Sequence, residues 1–259
     1  MRVISLNVWG GQLYDKLEAF VKSNAQITDV FCFQEMFDGK PVSPRMTHAA
    51  EVAFPNVCYD VTNRISRILP DYERVISDEY TTLGLRLTTF YKNTLDVEKA
   101  GNVPITPALT IHYNGVVFKQ KSVLQYIVLK DGVIASSHGV FLEIAANAPP
   151  GIGSNDQPQR IEQSKKYNKV LSRFNGWKVF AGDLNLNMTT QSIKIIEKPM
   201  RNLVKESGAR TTRNAYASPK VAPYADYMFV TPDVKVSSFE VMPDVVSDHQ
   251  PLMISFEPK

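Results

Sequence analysis

The sequence predicts an α/β protein in which two β-sheets are stacked face to face and helices cover their outer sides. Two observations lead to this prediction. Apolar runs with the length and flanking turn residues of strands occur in two groups along the 259 residues, and each group has helix-like segments beside it. A sheet must bury one face against another layer, and stacking two sheets with helices outside meets this need for every element.

The N-terminal part of the chain alternates between strands and a helix. A strand is predicted near residues 2–7, an amphipathic helix near 14–24 and a second strand near 28–34. Residues 36–55 contain several prolines, which interrupt regular structure, so no element is predicted there.

The segment from residue 56 to residue 138 is rich in β-branched and aromatic residues, which favour strands. Strands are predicted at residues 57–61, 82–91, 116–118, 123–129 and 133–137. Lys130-Asp131-Gly132, between the last two strands, predicts a hairpin turn.

The C-terminal part begins with a predicted loop at residues 147–158, which are rich in Asn, Pro and Gly. The elements predicted after it are a helix at 159–174, a strand at 177–182, helical segments near 190–206, a polar loop to about 223 and three closing strands.

The composition is that of an ordinary globular protein. Hydrophobic residues make up 44% and charged residues 21% of the chain, which is enough apolar material for a sizeable core. No apolar run is long enough to span a bilayer, so we expect a cytoplasmic protein. Cys32 and Cys58 are too few for a disulfide framework, and no zinc site is predicted. The net charge of +3 permits an anionic substrate but does not by itself indicate nucleic acid.

Short polar clusters stand at the C-terminal ends of apolar, strand-like runs along the chain. They are Asn7, Gln34-Glu35, Ser137-His138, Gly182-Asp183-Leu184-Asn185, Asp226-Tyr227 and Ser247-Asp248-His249. Polar side chains gathered where strands end are common in active sites. Carboxylates, amides and imidazoles together suit a hard divalent cation and acid–base groups, and this combination points to phosphate chemistry.

These clusters, in this order, resemble the motifs of the endonuclease/exonuclease/phosphatase superfamily, the deoxyribonuclease-I-like metal-dependent phosphoesterases. One cluster alone would carry little weight, because Gly-Asp-x-Asn also describes an ordinary turn. The set runs from residue 7 to residue 251 and so covers nearly the whole chain. The resemblance implies a single domain over residues 1–259. It also implies a four-layer α/β/β/α sandwich of two stacked mixed sheets with outer helices.

A divalent cation, Mg²⁺ or Mn²⁺, is the cofactor that the resemblance implies, with Asn7, Glu35 and Asp248 as candidate ligands. Glu35 is the first choice, because Mg²⁺ prefers oxygen ligands and uses only one or two carboxylates beside water and substrate phosphate. The ordinary alternatives are a solvated glutamate at a strand end and a turn-forming asparagine. Asn7 could also orient a neighbour instead of binding the metal.

The candidates for the catalytic step are His138, Asp183, Asn185, Asp226 and His249. The resemblance implies that Asp183 orients or deprotonates the attacking water and that Asn185 binds a phosphate oxygen. It further supplies Asp226 as the partner of His249, whose charged ring would stabilise negative charge in the transition state. Asp183 and Asn185 share a face if their segment is extended, and an Asx turn is the alternative.

His138 separates this chain from one branch of the superfamily. Deoxyribonuclease-I-like nucleases, sphingomyelinases and inositol-phosphate phosphatases carry a histidine at this strand end, whereas abasic-site endonucleases typically carry a tyrosine. The acidic partner usual for this histidine has no clear match, and Glu79 is the nearest candidate. The loop from residue 210 to 223 also lacks the paired tryptophans common in abasic-site enzymes. We therefore do not expect an abasic-site endonuclease.

The predicted function is hydrolysis of a phosphodiester, by a nuclease or phosphodiesterase, through in-line attack of water at a metal-bound phosphate. Arg210 and Arg213 precede Asp226 and, with Asn185, are the candidates for substrate contacts. The alternatives are a phosphomonoesterase or lipid-headgroup phosphodiesterase of the same fold, and a non-catalytic binding member. The expected partner is a phosphate ester, with nucleic acid as one candidate, and we expect a monomer.

Overall fold

The computed structural model describes residues 1–113, 115–141 and 152–257, and for residue 152 it describes the backbone alone. In chain order the strands are β1 (Arg2–Asn7), β2 (Val30–Phe37), β3 (Tyr72–Ile76), β4 (Leu85–Lys92), β5 (Val97–Pro104), β6 (Leu109–Tyr113), β7 (Val116–Gln120), β8 (Val123–Leu129), β9 (Gly132–His138), β10 (Trp177–Asp183), β11 (Arg201–Asn202), β12 (Asp226–Val230), β13 (Lys235–Val241) and β14 (Leu252–Glu257). The helices are α1 (Tyr14–Ala25), α2 (Pro44–Ala53), α3 (Val61–Ile68), α4 (Pro158–Leu171), α5 (Gln191–Glu197) and α6 (Leu203–Glu206).

The strands form two six-stranded sheets and a separate two-stranded hairpin. The first sheet has the order β13-β14-β1-β2-β4-β3, and the second has the order β11-β12-β10-β9-β8-β5. Each sheet contains one parallel pair near its centre, β1 with β2 and β9 with β10, and antiparallel neighbours around it. Both sheets are therefore mixed. The hairpin is formed by β6 and β7.

The side chains of β1 alternate between two buried layers. Val3 packs in a cluster that joins both sheets and includes Ile134 of the second sheet, whereas Ile4 packs in a cluster with Leu17 of α1. Strand side chains alternate with a period of two residues, so Asn7, at the end of β1, lies on the same side as Val3. The layer between the sheets thus continues directly into the polar strand ends.

The second sheet is arranged in the same way. Val179 of β10 belongs to the cluster between the sheets, whereas Phe180 packs with Tyr167 of α4 and Ile193 of α5. The order of layers is helices, first sheet, second sheet, helices. The predicted four-layer α/β/β/α sandwich is confirmed.

Most predicted elements are present with shifted ends. The hairpin predicted at residues 130–132 joins β8 to β9, where Leu129 is paired with Gly132. The helix predicted at 159–174 is α4, and the three closing strands are β12, β13 and β14. Part of the loop predicted at 147–158 lies outside the described residues.

Two predictions in the first half of the chain are wrong. Residues 57–60 form irregular backbone and a turn and not a strand, and α3 begins at Val61 with its first side chain fully buried. The prolines of residues 36–55 do not prevent a helix, because Pro44 occupies the first turn of α2, where its missing N–H breaks no hydrogen bond. The edge strands β3 and β5 were not predicted, since many of their side chains are exposed and give no apolar run.

Candidate active site

The candidate active site lies at one edge of the second sheet, where β9 and β10 end and β12 begins. His138 and Asp183 are the last residues of their strands as predicted, whereas Asp226 is the first residue of its strand, because β12 runs antiparallel to β10. Asp183 is paired in register with His138 on the parallel strand and with Asp226 on the antiparallel strand. Paired residues on neighbouring strands point to the same face. The three side chains therefore extend the layer between the sheets, opposite Asn7 of the first sheet.

Asp183 occupies the centre of this group. Its Oδ2 atom accepts a hydrogen bond from Asn7 Nδ2 at 2.9 Å and lies 3.6 Å from the Nε2 atoms of both His138 and His249. Burial alone would raise the pKa of Asp183, but the two imidazoles and a nearby guanidinium outweigh burial and lower it. Asp183 is therefore an ionised carboxylate between two histidines.

His249 is held by carboxylates on several sides. Its Nδ1 atom lies 2.8 Å from Asp226 Oδ2, and its Nε2 atom lies 3.7 Å from Asp248 Oδ1. Burial and Arg213 both lower the pKa of His249, but Asp226, Asp248 and Asp183 outweigh them and raise it to about 9. The surrounding carboxylates thus favour the charged ring.

Arg213 lies against the other side of the same imidazole. Its Nη1 atom is 2.7 Å from His249 Nε2 and 3.3 Å from Asp248 Oδ2. The first contact is a hydrogen bond only if Nε2 carries no proton, because a guanidinium donates and cannot accept. The carboxylates favour the charged ring more strongly than this contact opposes it, so we expect Arg213 to move away from Nε2 when the ring is protonated.

His138 has a different environment. Its Nε2 atom lies 3.1 Å from Glu35 Oε1, and its Nδ1 atom lies 3.1 Å from Gln120 Nε2. Burial alone would lower the pKa of His138, but the hydrogen bond to Glu35 and the charge of Asp183 raise it above its ordinary value. The sequence left the acidic partner of His138 open, with Glu79 as the nearest candidate. Glu79 is exposed and pairs with Arg86 at 3.2 Å, and the structure places Glu35 beside the ring instead.

The orientation of the Gln120 amide fixes the tautomer of the neutral His138 ring. Gln120 Oε1 accepts a hydrogen bond from the N–H of Phe141 at 3.2 Å, and Gln120 Nε2 donates to the carbonyl of Gly139 at 3.2 Å. The amide nitrogen therefore faces Nδ1, which must accept. In that tautomer the ring proton is on Nε2 and is donated toward Glu35.

Glu35 leaves the strand pairing of β2. The register between β2 and β4 shifts between Phe33 and Met36, and the N–H of Glu35 donates to the hydroxyl of Tyr80 at 3.2 Å. The Tyr80 ring also stacks on the His138 ring, with centroids 5.0 Å apart. Tyr80 thus supports both partners of the Glu35–His138 contact.

Unusual backbone conformations are concentrated at this site. Among the described residues, the non-glycine residues with positive φ are Trp9 at 53°, Glu35 at 57° and Asn185 at 53°. All three follow or interrupt strands at the site. Left-handed backbone is costly for residues other than glycine, and it persists where surrounding contacts enforce it, as at functional sites.

The two asparagines are fixed by hydrogen bonds of their own. Asn7 Oδ1 accepts a hydrogen bond from the N–H of Trp9 at 2.9 Å, which stabilises the turn after β1. The nitrogen of the same amide donates to Asp183. Asn185 donates its N–H to Asp183 Oδ1 at 2.8 Å, which is the Asx turn considered from the sequence. Its side chain reaches the site through this turn and not through an extended segment.

A cavity of about 750 Å³ opens above these groups. The polar residues that line it are Glu35, Gln120, His138, Asp183, Asn185, Arg213, Asp248 and His249, with Thr81, Ser218 and Lys220 also present. Arg210 is exposed and is not part of this lining. The structure therefore brings one of the two predicted arginines to the site and leaves the other outside it.

The endonuclease/exonuclease/phosphatase family model matches residues 4–249, which is nearly the entire chain. The chain belongs to this family. No curated protein matches it in sequence.

Solved structures of the family have the same fold. An endonuclease/exonuclease/phosphatase family protein from Bacteroides thetaiotaomicron is 16% identical, with a TM-score of 0.67 over 99% of this chain and 94% of that one. A mannosyl-6-phosphatase from Bacteroides thetaiotaomicron VPI-5482 is 16% identical, with a TM-score of 0.66 over 99% of each chain. The human nocturnin catalytic domain with bound sulfate is 15% identical, with a TM-score of 0.63 over 100% of this chain and 93% of that one.

As a member of the endonuclease/exonuclease/phosphatase family, the chain is a hydrolase of the phosphoesterase class. Its donor atoms suit the divalent cation that this family generally uses. One donor atom each of Glu35, His138 and Asp183 lie within 4.8 Å of one another, and the same holds for Asp183, Asp226 and His249. Burial raises the pKa of Asp248, and the Glu35 and Asp183 carboxylates raise it further. His249 and Arg213 lower this pKa but do not outweigh the other effects. A cation beside these carboxylates would relieve their mutual repulsion.

Two contributors to the candidate site were missed from the sequence. Gln120 ends the separate β6–β7 hairpin, and Tyr80 lies in the segment before β4. Neither belongs to a polar cluster at the end of a central strand. The available signal for Gln120 was its position two residues after Phe118 in a strand-like run, since Phe118 and Gln120 share a buried face.

In the described part of the chain, no helix is long and apolar enough to cross a membrane.

Proposed function

We propose that this family member hydrolyses a phosphodiester by in-line attack of water, with Mg²⁺ or Mn²⁺ as cofactor. The observation that carries the proposal is the Asp183 carboxylate, placed 3.6 Å from each of two imidazoles at the floor of the cavity. A carboxylate that orients water and two rings that donate hydrogen bonds to phosphate oxygens are the groups that such an attack requires.

Glu35 and Asp248 are the proposed metal ligands. Both line the cavity, and carboxylate oxygens are the preferred ligands of Mg²⁺. When bound, the cation would neutralise charge on the phosphate and on the leaving oxygen. Asn7 was expected as a third ligand, but its amide is already engaged with Asp183 and Trp9. We assign it the role of orienting Asp183.

The remaining groups have separate tasks. Asp183 accepts a hydrogen bond from the attacking water and directs its lone pair at phosphorus. Asn185, His249 and Arg213 are placed to contact the phosphate oxygens, because all three line the cavity. His249 carries positive charge that Asp226 stabilises, and His138 donates from Nε2.

The space above the floor supports a diester. The cavity of about 750 Å³ is much larger than a phosphate group, so it has room for a second group esterified to the same phosphorus. The charge of the lining does not separate a diester from a monoester, because Arg213, Lys220, a charged His249 and a bound cation offset the three carboxylates of Glu35, Asp183 and Asp248. A nuclease and a phosphodiesterase acting on a small substrate both satisfy this argument.

The first test compares bis-p-nitrophenyl phosphate with p-nitrophenyl phosphate, with Mg²⁺ and with excess chelator. We expect the diester to react faster and activity to disappear with the chelator. Glu35→Gln should reduce kcat by more than about 100-fold, because an amide oxygen binds a hard cation far more weakly than a carboxylate does.

Glu79→Gln is the matched control, since Glu79 is exposed and pairs only with Arg86 in the ion pairs of the described chain. It should keep normal activity. Full activity in excess chelator would rule out the metal, and faster release from p-nitrophenyl phosphate would favour a phosphomonoesterase. Mg²⁺-dependent nicking of plasmid DNA that Glu35→Gln abolishes would identify a nuclease, whereas intact plasmid beside rapid turnover of the small diester would exclude one.

A further inference from the structure

The upper part of the cavity is lined by aromatic side chains. They are Trp9, Phe54, Tyr113, Phe118, Phe141 and Tyr216, which we call the aromatic cleft. The cleft is continuous with the polar floor, because both belong to the same volume of about 750 Å³. A volume of this size is typical of sites for small molecules. Whatever is esterified to a phosphate on the floor must lie beside these rings.

One wall of the cleft is built on the β6–β7 hairpin. Tyr113 and Phe141 pack edge to face, with ring centroids 5.6 Å apart. Phe118 lies two residues before Gln120 on β7, so the two side chains share a face of the strand. Gln120 contacts His138, and therefore the face that carries the aromatic wall is the face that adjoins the catalytic floor.

A second wall is formed by Trp9 and Tyr216, whose ring centroids are 6.5 Å apart. The Tyr216 segment is tied to the site by Asn214, which accepts from the N–H of Tyr216 at 3.0 Å and donates to the carbonyl of Ser247 at 2.7 Å. Tyr216 is 48% exposed, and these bonds hold its backbone beside the site.

The chemistry of the walls favours a flat aromatic group over a lipid chain. The rings offer faces and edges for stacking, which stabilises a bound ring beyond the area that it buries. Lipid assemblies require a broad exposed apolar surface, but few large apolar side chains are exposed in the described chain, and they come from separate segments.

We propose that the substrate of this enzyme carries an aromatic ring, such as an aryl group or a nucleobase, next to the phosphate, and that the aromatic cleft binds this ring. The proposal rests on the function proposed above, because it places the phosphate on the polar floor. It adds a requirement on the group attached to that phosphate. The ring packs against the aromatic side chains of these two walls.

The test measures binding and does not need turnover. The probes are the monomethyl esters of benzylphosphonate, cyclohexylmethylphosphonate and methylphosphonate, which share one singly charged head group. Their P–C bond cannot be hydrolysed and methoxide is a poor leaving group, and phosphorus NMR of the sample after each titration checks that the methyl ester is intact. We expect calorimetric titration in Mg²⁺ to show the benzyl compound bound at least about tenfold more tightly than the other two. Equal binding of the benzyl and cyclohexylmethyl compounds would show that the cleft accepts any apolar group, and would overturn the requirement for an aromatic ring. Equal binding of all three would overturn the cleft as a subsite.

Variants then locate the ring. Tyr113→Leu and Tyr216→Leu keep apolar bulk and remove one ring from each wall, so each should reduce the preference for benzyl over cyclohexylmethyl by about threefold or more. Val117→Ala is the control, because Val117 lies on the opposite face of the hairpin strand and is 38% exposed. This variant should keep the full preference for benzyl over cyclohexylmethyl. Normal preference in both leucine variants, with unchanged melting temperatures, would overturn the assignment.

Loss of the benzyl preference is distinguishable from failure of the proposed function. If bis-p-nitrophenyl phosphate is hydrolysed in a metal-dependent reaction while the three phosphonates bind equally, only the aromatic cleft is overturned. If no ester is hydrolysed but the benzyl compound still binds preferentially, the cleft stands and the catalytic proposal fails.

Discussion

His138 and His249 lie at the same distance from Asp183, but the atoms on their other sides differ. The Nδ1 atom of His249 meets the Asp226 carboxylate at 2.8 Å, whereas the Nδ1 atom of His138 meets the amide nitrogen of Gln120 at 3.1 Å. A carboxylate stabilises a charged ring, and an amide N–H stabilises a neutral ring that accepts at Nδ1. The first histidine is therefore equipped to carry charge and the second to donate one hydrogen bond from Nε2.

The difference shows that proximity to Asp183 does not define the role of a histidine. Both rings are buried, and Asp183 raises the pKa of both. What separates them is the partner on the far nitrogen, which comes from β12 for His249 and from the β6–β7 hairpin for His138. Substituting these partners should therefore change the activity or the pKa of one histidine and not of the other.

The largest effect is expected for the His249–Asp226 pair. His249→Ala should lower kcat by roughly 10²- to 10⁴-fold, the range typical of an acid–base or charge-stabilising side chain. The double variant with Asp226→Asn should be little worse than the worse single variant, because residues that act as a unit are not additive. Losses in kcat that multiply would show that the two side chains act independently.

Arg213→Ala should have the next largest effect, because it removes a guanidinium from the cavity lining. A charged hydrogen bond to phosphate is worth about 1.5–3 kcal/mol, so kcat/KM should fall by roughly 10- to 100-fold. With a nucleic acid substrate, the salt dependence of KM should also become flatter. Arg210→Ala is the comparison variant, because Arg210 is exposed and outside the cavity lining. An equal loss of kcat/KM in Arg210→Ala would show that the effect comes from the overall charge of the protein and not from a contact in the cavity.

Gln120 tests the other histidine with a smaller expected change. Gln120→Ala should reduce kcat by about fivefold, since one neutral hydrogen bond that orients His138 is lost. Gln120→Glu should make His138 resemble His249 by raising its pKa, which an NMR titration of the ring would detect. An unchanged titration of His138 in Gln120→Glu would show that this contact does not control the ring.

The smallest effect concerns the pH dependence of stability in metal-free protein. The folded pKa of His249 is raised from 6.5 to about 9, so its contribution to stability is fully present below about 6.5 and is lost as pH rises through 9. Urea unfolding at several pH values should therefore show a steeper fall in the free energy of unfolding over this range for wild type than for His249→Gln. Equal slopes would contradict the raised pKa.

The sequence was sufficient for the parts of the site that follow strand periodicity. His138, Asp183 and Asp226 stand at the ends of apolar runs, and pairing in a sheet brings such residues together. The layer order also followed from the two groups of strands. These features depend on local patterns that each strand carries within its own residues.

The parts that failed depend on contacts between distant segments. Arg210 and Arg213 differ little in sequence context, but Arg213 forms an antiparallel bridge to His249 while Arg210 is exposed. Gln120 was unexpected because its hairpin is outside both sheets. The positive φ of Glu35 arises where β2 loses its register with β4, and no residue type in the sequence marks that position.

The alignment of His138, Asp183 and Asp226 across three neighbouring strands restricts how this protein can change its length during evolution. Removing one residue from the interior of β10 would shift every later side chain of that strand to the opposite face. Asp183 would then turn toward the helices, and Leu184 would stand between the two histidines. Insertions and deletions should therefore accumulate in the connections between strands, while the lengths of β9, β10 and β12 stay constant among active relatives.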